Sequence, residues 1–243
     1  MTRIGVQAAP DRARLTLTQG PISPRVLRVT DSGASIGLVA TTALLLGGDH
    51  IEFDIEVGPG AWLELVETAG TVAYDAGGVE SSWTVRVRLS KGAVLVWAGE
   101  PFVIAHGANV RRHTTVDLSR DAVALLRETL VLGRTGEIGG VVRSTMSVRR
   151  SGEQLLLETL ELAVDRELPG VIGGVRVIDS VAMVGTRAPT QPELAAGDRF
   201  ELDGPGTIAR YLGSSVAASP LSPVTNTWRS VLLDDPIPAI STS

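Results

Sequence analysis

Two short segments place charged side chains directly after an apolar run that ends in glycine. The first is Leu46-Gly47-Gly48-Asp49; in the second, a run starting at Leu130 stops at Gly133, and Arg134 and Glu137 follow. Because glycine lets the backbone turn sharply, these carboxylates are expected at the rim of a scaffold and not unpaired in its core. The chain has no cysteine and no nucleophile motif. Its chemistry is that of carboxylates and guanidinium groups, which hold or pass a ligand better than they cleave one.

Four carboxylates lie against apolar residues or glycine at the end of a segment: Asp49, Glu100, Glu128 and Glu137. A carboxylate in such a position is expected to be half-buried and to need a partner. Arg134 is the expected partner of Glu137 or Glu128, and an ordinary structural ion pair is the alternative to a functional role. The acidic residues that alternate along Ile51–Val57 are instead typical of the solvated face of a strand.

The sequence lacks the residue patterns that several enzymes and metal sites require. The three histidines, His50, His106 and His113, do not have the spacing of a helical zinc site, so a tight zinc or copper site is not expected. No Gly-x-Ser-x-Gly turn and no phosphate-binding glycine pattern occur. Glycosidases generally add aromatic platforms to their paired carboxylates, and aromatic residues make up only 4% of this chain. The prediction is a protein that is not an enzyme and holds no cofactor tightly.

Composition and charge narrow the class of partner. The 243 residues include 22 Lys plus Arg and 27 Asp plus Glu, and the net charge of -5 argues against binding to nucleic acid or to an anionic membrane. Charged residues interrupt the first 17 positions, so no signal peptide or anchor is predicted there. The longest apolar-rich run, Ile36 to Leu46, is too short for a membrane helix. A soluble, cytoplasmic protein is the expectation.

The elements that must position these residues are mostly strands. Apolar and polar residues alternate in three pairs of segments that are joined by turns containing glycine: 51–57 with 61–65, 83–89 with 93–97, and 141–149 with 154–162. Two segments favour short helices, Thr225 to Leu233 and Asp121 to Leu132, although the latter also fits a buried strand. The predicted fold is mainly β, an elongated solenoid or sandwich of stacked strands with about two short helices. Residues 1–243 form one domain, with a loosely held tail over 235–243.

Short motifs spread along most of the chain resemble, in order and spacing, the urease accessory protein UreD family, called UreH in some organisms. The motifs are Leu46-Gly47-Gly48-Asp49, Val57 to Ala61, Glu67-Thr68-Ala69 with Tyr74, Gly92 to Trp97, Glu100 to Ile104, Leu132-Gly133-Arg134 with Gly136-Glu137, Val141 to Leu162, Ala209 to Gly213, and Trp228-Arg229. The resemblance implies a non-enzymatic scaffold for metallocentre assembly. It would bind apo-urease with the partners UreF and UreG and help nickel reach the urease active site.

Within this resemblance, the four carboxylates Asp49, Glu100, Glu128 and Glu137 are candidate members of an acidic path for nickel in transit. Oxygen ligands suit such a path because nickel binds nitrogen and sulfur ligands more firmly. Arg134, flanked by Gly133 and Gly136, is expected to order the path. The segments around Leu212 and Trp228 are expected to face a protein partner, since exposed aromatic side chains anchor interfaces.

Two other readings remain open from the sequence. One is a cytosolic β-solenoid or sandwich that binds or cleaves carbohydrate through paired carboxylates. The other is an interaction module with no metal path, which differs from the first hypothesis only in that nickel should not affect it or its complexes.

Overall fold

The computed structural model describes residues 1–163, 172–192, 194–195 and 197–233, and these residues are mostly in strands. The first nine strands are β1 (Thr2–Gln7), β2 (Arg14–Thr18), β3 (Ile22–Val29), β4 (Gly33–Ala40), β5 (His50–Val57), β6 (Trp62–Glu67), β7 (Thr71–Ala73), β8 (Ser81–Leu89) and β9 (Val94–Ala98). The others are β10 (Phe102–Ile104), β11 (Asn109–Leu118), β12 (Val123–Leu132), β13 (Val141–Arg150), β14 (Glu153–Leu162), β15 (Val177–Val184), β16 (Arg199–Glu201) and β17 (Gly206–Gly213). A 3-10 turn at Val216–Ala218 precedes the helix α1 (Leu221–Leu232).

The strands form two stacked sheets. The first has the order β14-β13-β11-β8-β5-β1-β2, and the second has β16-β17-β15-β12-β9-β6-β4-β3, with β10 and β7 added beside the far half of β12. Central neighbours are parallel, as in β5/β8/β11/β13 and β4/β6/β9/β12, whereas the outer pairs are antiparallel. The chain therefore alternates between the sheets and builds a β-solenoid of stacked coils.

Paired residues show the length of one coil. Ile51 lies beside Trp83, Trp83 beside Arg112, and Arg112 beside Ser144, so stacked positions are about 30 residues apart in sequence. The spacing is not constant from coil to coil, which is why no fixed repeat is visible in the sequence.

Tight turns connect the first sheet to the second along one edge of the solenoid. Gly60, Gly92 and Asp121 occupy equivalent places with φ values of 63°, 66° and 60°, and a fully buried alanine follows each of them. The amide of Gly60 donates to the carbonyl of Lys91 at 3.0 Å, and that of Gly92 donates to the carbonyl of Arg120 at 3.2 Å. Small residues and left-handed backbone conformations thus let successive turns lie directly on one another.

Apolar side chains fill the space between the sheets because every second residue of each strand points inward. Phe53, Trp83 and Trp97 contact one another there, with ring centroids 5.1 and 5.5 Å from that of Phe53. The outer face of the second sheet has a smaller core of its own, formed by residues such as Leu125 and Val181 against α1.

The predicted strands are confirmed, and the turns that join them are of two kinds. The segments 51–57 and 61–65 belong to β5 and β6, which lie in different sheets, so the turn between them is an arch. Residues 141–149 and 154–162 do form an antiparallel hairpin, β13/β14.

Asp121 to Leu132 is the buried strand β12 and not a helix, because its even-numbered residues face one core and its odd-numbered apolar residues face the other. Thr225 to Leu233 is helical, but α1 begins earlier, at Leu221. The described residues thus contain one α-helix, and the tail over 235–243 lies outside them.

Trp228 does not face a partner, which corrects the sequence-based expectation. Its side chain is fully buried on α1 and belongs to the outer core with Leu221 and Val224. The spacing of these residues along α1 aligns them on one face of the helix, and burial of that face holds α1 against the sheet. Exposure cannot be inferred for an aromatic residue at such a position.

We expect Trp228→Ala to lower the free energy of unfolding by about 3–5 kcal/mol, because it leaves a cavity between α1 and the second sheet. Urea titration measures the change. The control is Val231→Ala on the same helix, whose side chain is 58% exposed and whose replacement should cost no more than about 0.5 kcal/mol. Equal effects of the two substitutions would contradict the assigned packing of α1.

Candidate functional site

One level of the second sheet carries polar residues on its inner face. Glu128 on β12 pairs with Ser180 on β15, and Ser180 pairs with Arg210 on β17. Glu67 ends β6 at the same level, where the intervening position on the β9 side is Gly99. The adjacent level is apolar throughout, with Leu65, Trp97, Leu126, Ala182 and Ile208.

The first sheet contributes polar residues opposite this level. Arg112 on β11 and Ser144 on β13 are register partners that face inward, and Glu158 on β14 lies near the sheet edge. We call the combined set the inner polar layer: Glu67, Arg112, Glu128, Ser144, Glu158, Ser180 and Arg210. It crosses an interior that is mostly apolar.

Arg112 and Glu128 form an ion pair between the sheets. Nη1 of Arg112 lies 2.6 Å from Oε1 of Glu128, and the hydroxyl of Ser144 donates to Oε2 at 3.4 Å. The guanidinium group lies over the ring of Phe102, 4.2 Å from its centroid. Arg112 is only 9% exposed, yet within the described chain neither its Nε nor its Nη1 has a hydrogen-bond partner. The 2.6 Å contact is therefore a charge contact without the alignment of a hydrogen bond.

Glu67 is held differently. Its Oε1 accepts a hydrogen bond from Nε1 of Trp97 at 2.8 Å, and its Oε2 accepts one from the amide of Glu100 at 3.0 Å. Burial raises the pKa of the Glu67 carboxyl, and the neighbouring Glu100 adds to this, while both hydrogen bonds and the charge of Arg112 act in the opposite direction. Burial has the largest effect, so this carboxyl takes up a proton more readily than an exposed one.

Three cavities adjoin the inner polar layer. The central cavity, about 50 Å³, is lined by Glu67, Gly99, Glu100, Arg112 and Glu128 among others. A second, of about 170 Å³, shares Glu67, Thr71 and Trp83 with it and is called the Tyr74 cavity after another of its lining residues. The third, of about 180 Å³, shares Leu126, Glu128 and Met146 with the central cavity and is called the β14 cavity. Single side chains, including Glu67 and Glu128, therefore separate one cavity from the next.

A glycine allows a close backbone approach at the centre of this arrangement. Gly99 occupies the level of the polar layer between Glu67 and Glu128, and a Cβ atom there would lie 2.8 Å from the carbonyl oxygen of Arg127 and 3.6 Å from Oε1 of Glu67. A side chain at position 99 would therefore clash with the backbone of β12, so glycine lets this segment approach β12 closely beside the central cavity.

Arg210 and Glu158 form the last pair of the inner polar layer, near the edges of the two sheets. Nη1 and Nη2 of Arg210 donate to the two carboxylate oxygens of Glu158 at 2.5 and 2.7 Å, and Nε donates to the hydroxyl of Ser180 at 2.9 Å. Because Arg210 comes from the second sheet and Glu158 from the first, this bidentate pair joins the two sheets across the β14 cavity.

Asp49 and Glu137 lie elsewhere, in the loops that lead into the strands of the first sheet. Oδ2 of Asp49 accepts the amide of Leu46 at 3.0 Å. Glu137 accepts the amides of Arg134 and His106 at 3.1 and 3.2 Å, and Nε of Arg134 at 2.9 Å. The hydrogen bond from the Arg134 side chain is the main reason why the pKa of Glu137 is lowered to about 2, and the two amides assist. These carboxylates act as caps of backbone loops.

The structure thus divides the predicted path residues. Glu100 and Glu128 line the same central cavity, whereas the caps Asp49 and Glu137 do not line it. Of the two partners predicted for Arg134, Glu137 is the one observed. Gly133 and Gly136 shape this loop with φ values of 85° and 79°.

Other functional residues were missed by sequence reasoning. Arg112, Glu158 and Arg210 were not singled out, and Glu67 was noted only as part of a motif. The available signal was a polar residue at an inward position of an alternating strand, as in Val110, Arg112 and Val116. Leu212, proposed for partner contact, is 53% exposed near the end of β17 and lines the β14 cavity.

The arrangement suits weak, exchangeable contact with a cation more than tight binding. Within the described residues no three His, Cys, Asp or Glu side chains are grouped so as to hold a metal ion. The carboxylates of the layer occur singly, and each already has a hydrogen-bond or charge partner. No described helix is long and apolar enough to cross a membrane.

Fold and site together define a β-solenoid protein with a polar layer through its core. Comparison with known proteins identifies the family. A family model described as UreD urease accessory protein matches residues 2–240, and the chain belongs to that family.

Individual relatives agree with this assignment. The chain is 44% identical over 212 residues to Urease accessory protein UreD 1 of Streptomyces griseus, covering 86% of this chain and 82% of the relative. It is 32% identical over 230 residues to UreD 2 of Saccharopolyspora erythraea, covering 92% and 80%. It is 33% identical over 205 residues to UreD of Streptomyces avermitilis, covering 84% and 77%.

The lowered pKa of Glu137 predicts a pH effect. A carboxyl whose pKa is lower in the folded state stabilises the fold above its unfolded value of 4.5, and this contribution is lost as the pH falls toward about 2. In Arg134→Gln, carbon-detected NMR titration should show the pKa of Glu137 rising, though not fully, because both amide hydrogen bonds remain. An unchanged pKa in this variant would show that the side-chain pair is not the cause.

Proposed function

We propose that this protein is a non-enzymatic scaffold in urease maturation, which binds apo-urease together with UreF and UreG and lets nickel pass along the inner polar layer. Family membership supports the link to urease. The observation that carries the rest is the continuity of the layer: polar residues at one level adjoin three successive cavities in a core that is mostly apolar.

The proposed path begins at the Tyr74 cavity, passes Glu67 into the central cavity, and continues past Glu128 into the β14 cavity, where Glu158 lies. Glu100 is exposed beside the central cavity and offers a further carboxylate. A divalent cation would meet carboxylate oxygens one at a time, with hydroxyl groups of Thr71, Ser144 and Ser180 nearby.

A protein that passes on a metal ion requires weak contact with that ion. Nickel is held most firmly by nitrogen and sulfur ligands, but the chain has no cysteine, and its three histidines are exposed on the surface and outside the layer. Lone carboxylates with water offer oxygen ligands that exchange. The role proposed for nickel is that of cargo, not of a resident cofactor.

Partner binding is proposed at the rim of the β14 cavity. Leu212 is a half-exposed apolar side chain there, and the cavity is lined largely by aliphatic residues of β12, β14, β15 and β17. Apolar side chains around an opening favour contact with another protein. Which of urease, UreF or UreG contacts this rim is a question for variants of Leu212.

The carbohydrate alternative has less support. Phe53, Trp83 and Trp97 pack inside the solenoid, where they are not available as platforms for a saccharide, and the central cavity of about 50 Å³ is too small for a sugar ring. The interaction module without a metal path remains the competitor that an experiment must separate.

The test is urease activation by the full chain co-expressed with urease subunits, UreF and UreG, with and without added nickel. We expect Glu67→Gln to lower nickel-dependent activation about tenfold or more, because it removes the charge between two cavities. The comparison variant is Glu137→Gln, which alters a loop cap outside the layer and should retain most of the activation.

Co-purification of the complex controls for folding and assembly. If Glu67→Gln activates urease as the wild type does, nickel does not pass this residue and the interaction module is favoured. If the wild-type chain forms no complex with urease, UreF or UreG, the scaffold role itself is rejected.

A further inference from the structure

The ion pair between Arg112 and Glu128 is an unusual choice for the centre of a core. Replacing such a buried pair by apolar residues is often neutral or stabilising, so the pair is not explained by stability. The register neighbours of Arg112 toward the start of the chain, Trp83 and then Ile51, are apolar. An apolar residue at position 112 would continue this row.

Arg112 also has fewer hydrogen bonds than Arg127 and Arg210, two half-buried arginines of the chain. On the outer face of the second sheet, Nε and Nη2 of Arg127 donate aligned hydrogen bonds to Asp179 at 3.1 and 2.8 Å. The hydroxyl groups of Thr129 and Ser219 donate to the same carboxylate. Arg210 forms a bidentate pair with Glu158. Arg112 makes one unaligned contact with Glu128 and stacks on a ring, and its buried Nε has no hydrogen-bond partner among the described residues.

The position of the pair matters as much as its geometry. Glu128 lines both the central cavity and the β14 cavity, whereas Arg112 lines only the central one. Any ion that moves between the two cavities must pass the Glu128 carboxylate, which the guanidinium group already contacts. The charge of Arg112 therefore competes directly with a cation for Glu128.

We propose that Arg112 is an exchangeable counter-ion of Glu128. A divalent cation in the central cavity displaces the guanidinium group from the carboxylate, and return of the guanidinium group then releases the cation. This inference rests on the proposed function in taking nickel as the cation, but the exchange itself is a property of the isolated chain. Arg112 acts as a positioning residue that keeps the site weak.

Removing the positive charge of Arg112 should therefore make the site retain the cation instead of releasing it. In Arg112→Gln, Glu128 keeps its carboxylate but loses the competing charge, so nickel should stay bound. Affinity of the isolated full chain for Ni²⁺, measured by calorimetry with nickel chloride alone, should increase about tenfold or more, the scale on which groups around a metal ligand act.

Two matched variants isolate the charge. Arg112→Lys retains it and should keep the weak wild-type affinity. The double variant Arg112→Met with Glu128→Leu replaces the pair by apolar residues, which favours folding, and should show no gain in affinity. Affinity that is unchanged in Arg112→Gln, or raised equally in the double variant, would overturn the proposal.

A measurement on the wild-type chain covers the case in which Arg112→Gln does not fold. Addition of Ni²⁺ should shift or broaden the NMR signal of the Arg112 Nε–H group and broaden signals of Ser144 and Thr129, which lie beside Glu128. The double variant should lose the broadening of the Ser144 and Thr129 signals. An Arg112 signal that does not respond to millimolar Ni²⁺ in the wild type would show that the guanidinium group is a fixed structural partner.

Urease activation separates this proposal from the function on which it rests. Arg112→Gln should reach half-maximal activation at a lower nickel concentration but with a lower plateau, because the bound ion is released slowly. If Arg112→Gln binds Ni²⁺ tightly while Glu67→Gln activates urease normally, the exchange is real and the path is wrong. If Glu67→Gln impairs activation while Ni²⁺ affinity is unchanged in Arg112→Gln, the path stands and the exchange is wrong.

Discussion

Every second side chain of a strand in this solenoid points into the narrow space between two sheets, where water is scarce. An apolar residue gains from that position, and a charged one must find a partner there. The pairs Arg112–Glu128 and Arg210–Glu158 obey this constraint, since each joins an arginine and a carboxylate from different sheets. The cavities, the connection between sheets at the β14 edge and the proposed passage all depend on it.

The same residue types behave differently at the corners of the coils. Glu137 receives two backbone amides and a side-chain hydrogen bond from Arg134, so its pKa falls, whereas burial dominates at Glu67 and its pKa rises. The Glu137 carboxyl therefore keeps its charge to a lower pH than an ordinary carboxyl, whereas the Glu67 carboxyl takes up a proton more readily.

Alternation in the sequence was enough to predict the strands and the mainly β class, but not which sheet each strand joins. An arch such as Gly58-Pro59-Gly60 and a hairpin such as Ser151-Gly152 are both short turns with glycine, and only stacking on neighbouring coils distinguishes them. In β12, apolar residues on both faces imitate a helix. The carboxylates of the central cavity were found in part, because Glu100 and Glu128 end apolar segments. Their partner Arg112 was missed, since a polar residue in an alternating strand looks like an exposed one until the facing sheet is known.

The antiparallel pairs at both ends of the parallel stack have a geometric consequence. They fix the number of coils, and with it the length of the polar layer. Glu67, Gly99, Glu128, Ser180 and Arg210 lie on five successive strands of one sheet, so four interstrand steps give a span of roughly 19 Å. Oxygen-bearing side chains along such a row can be spaced only in whole multiples of the distance between strands. A relative with one coil more or fewer would therefore have the two ends of such a polar layer farther apart or closer together by one such increment.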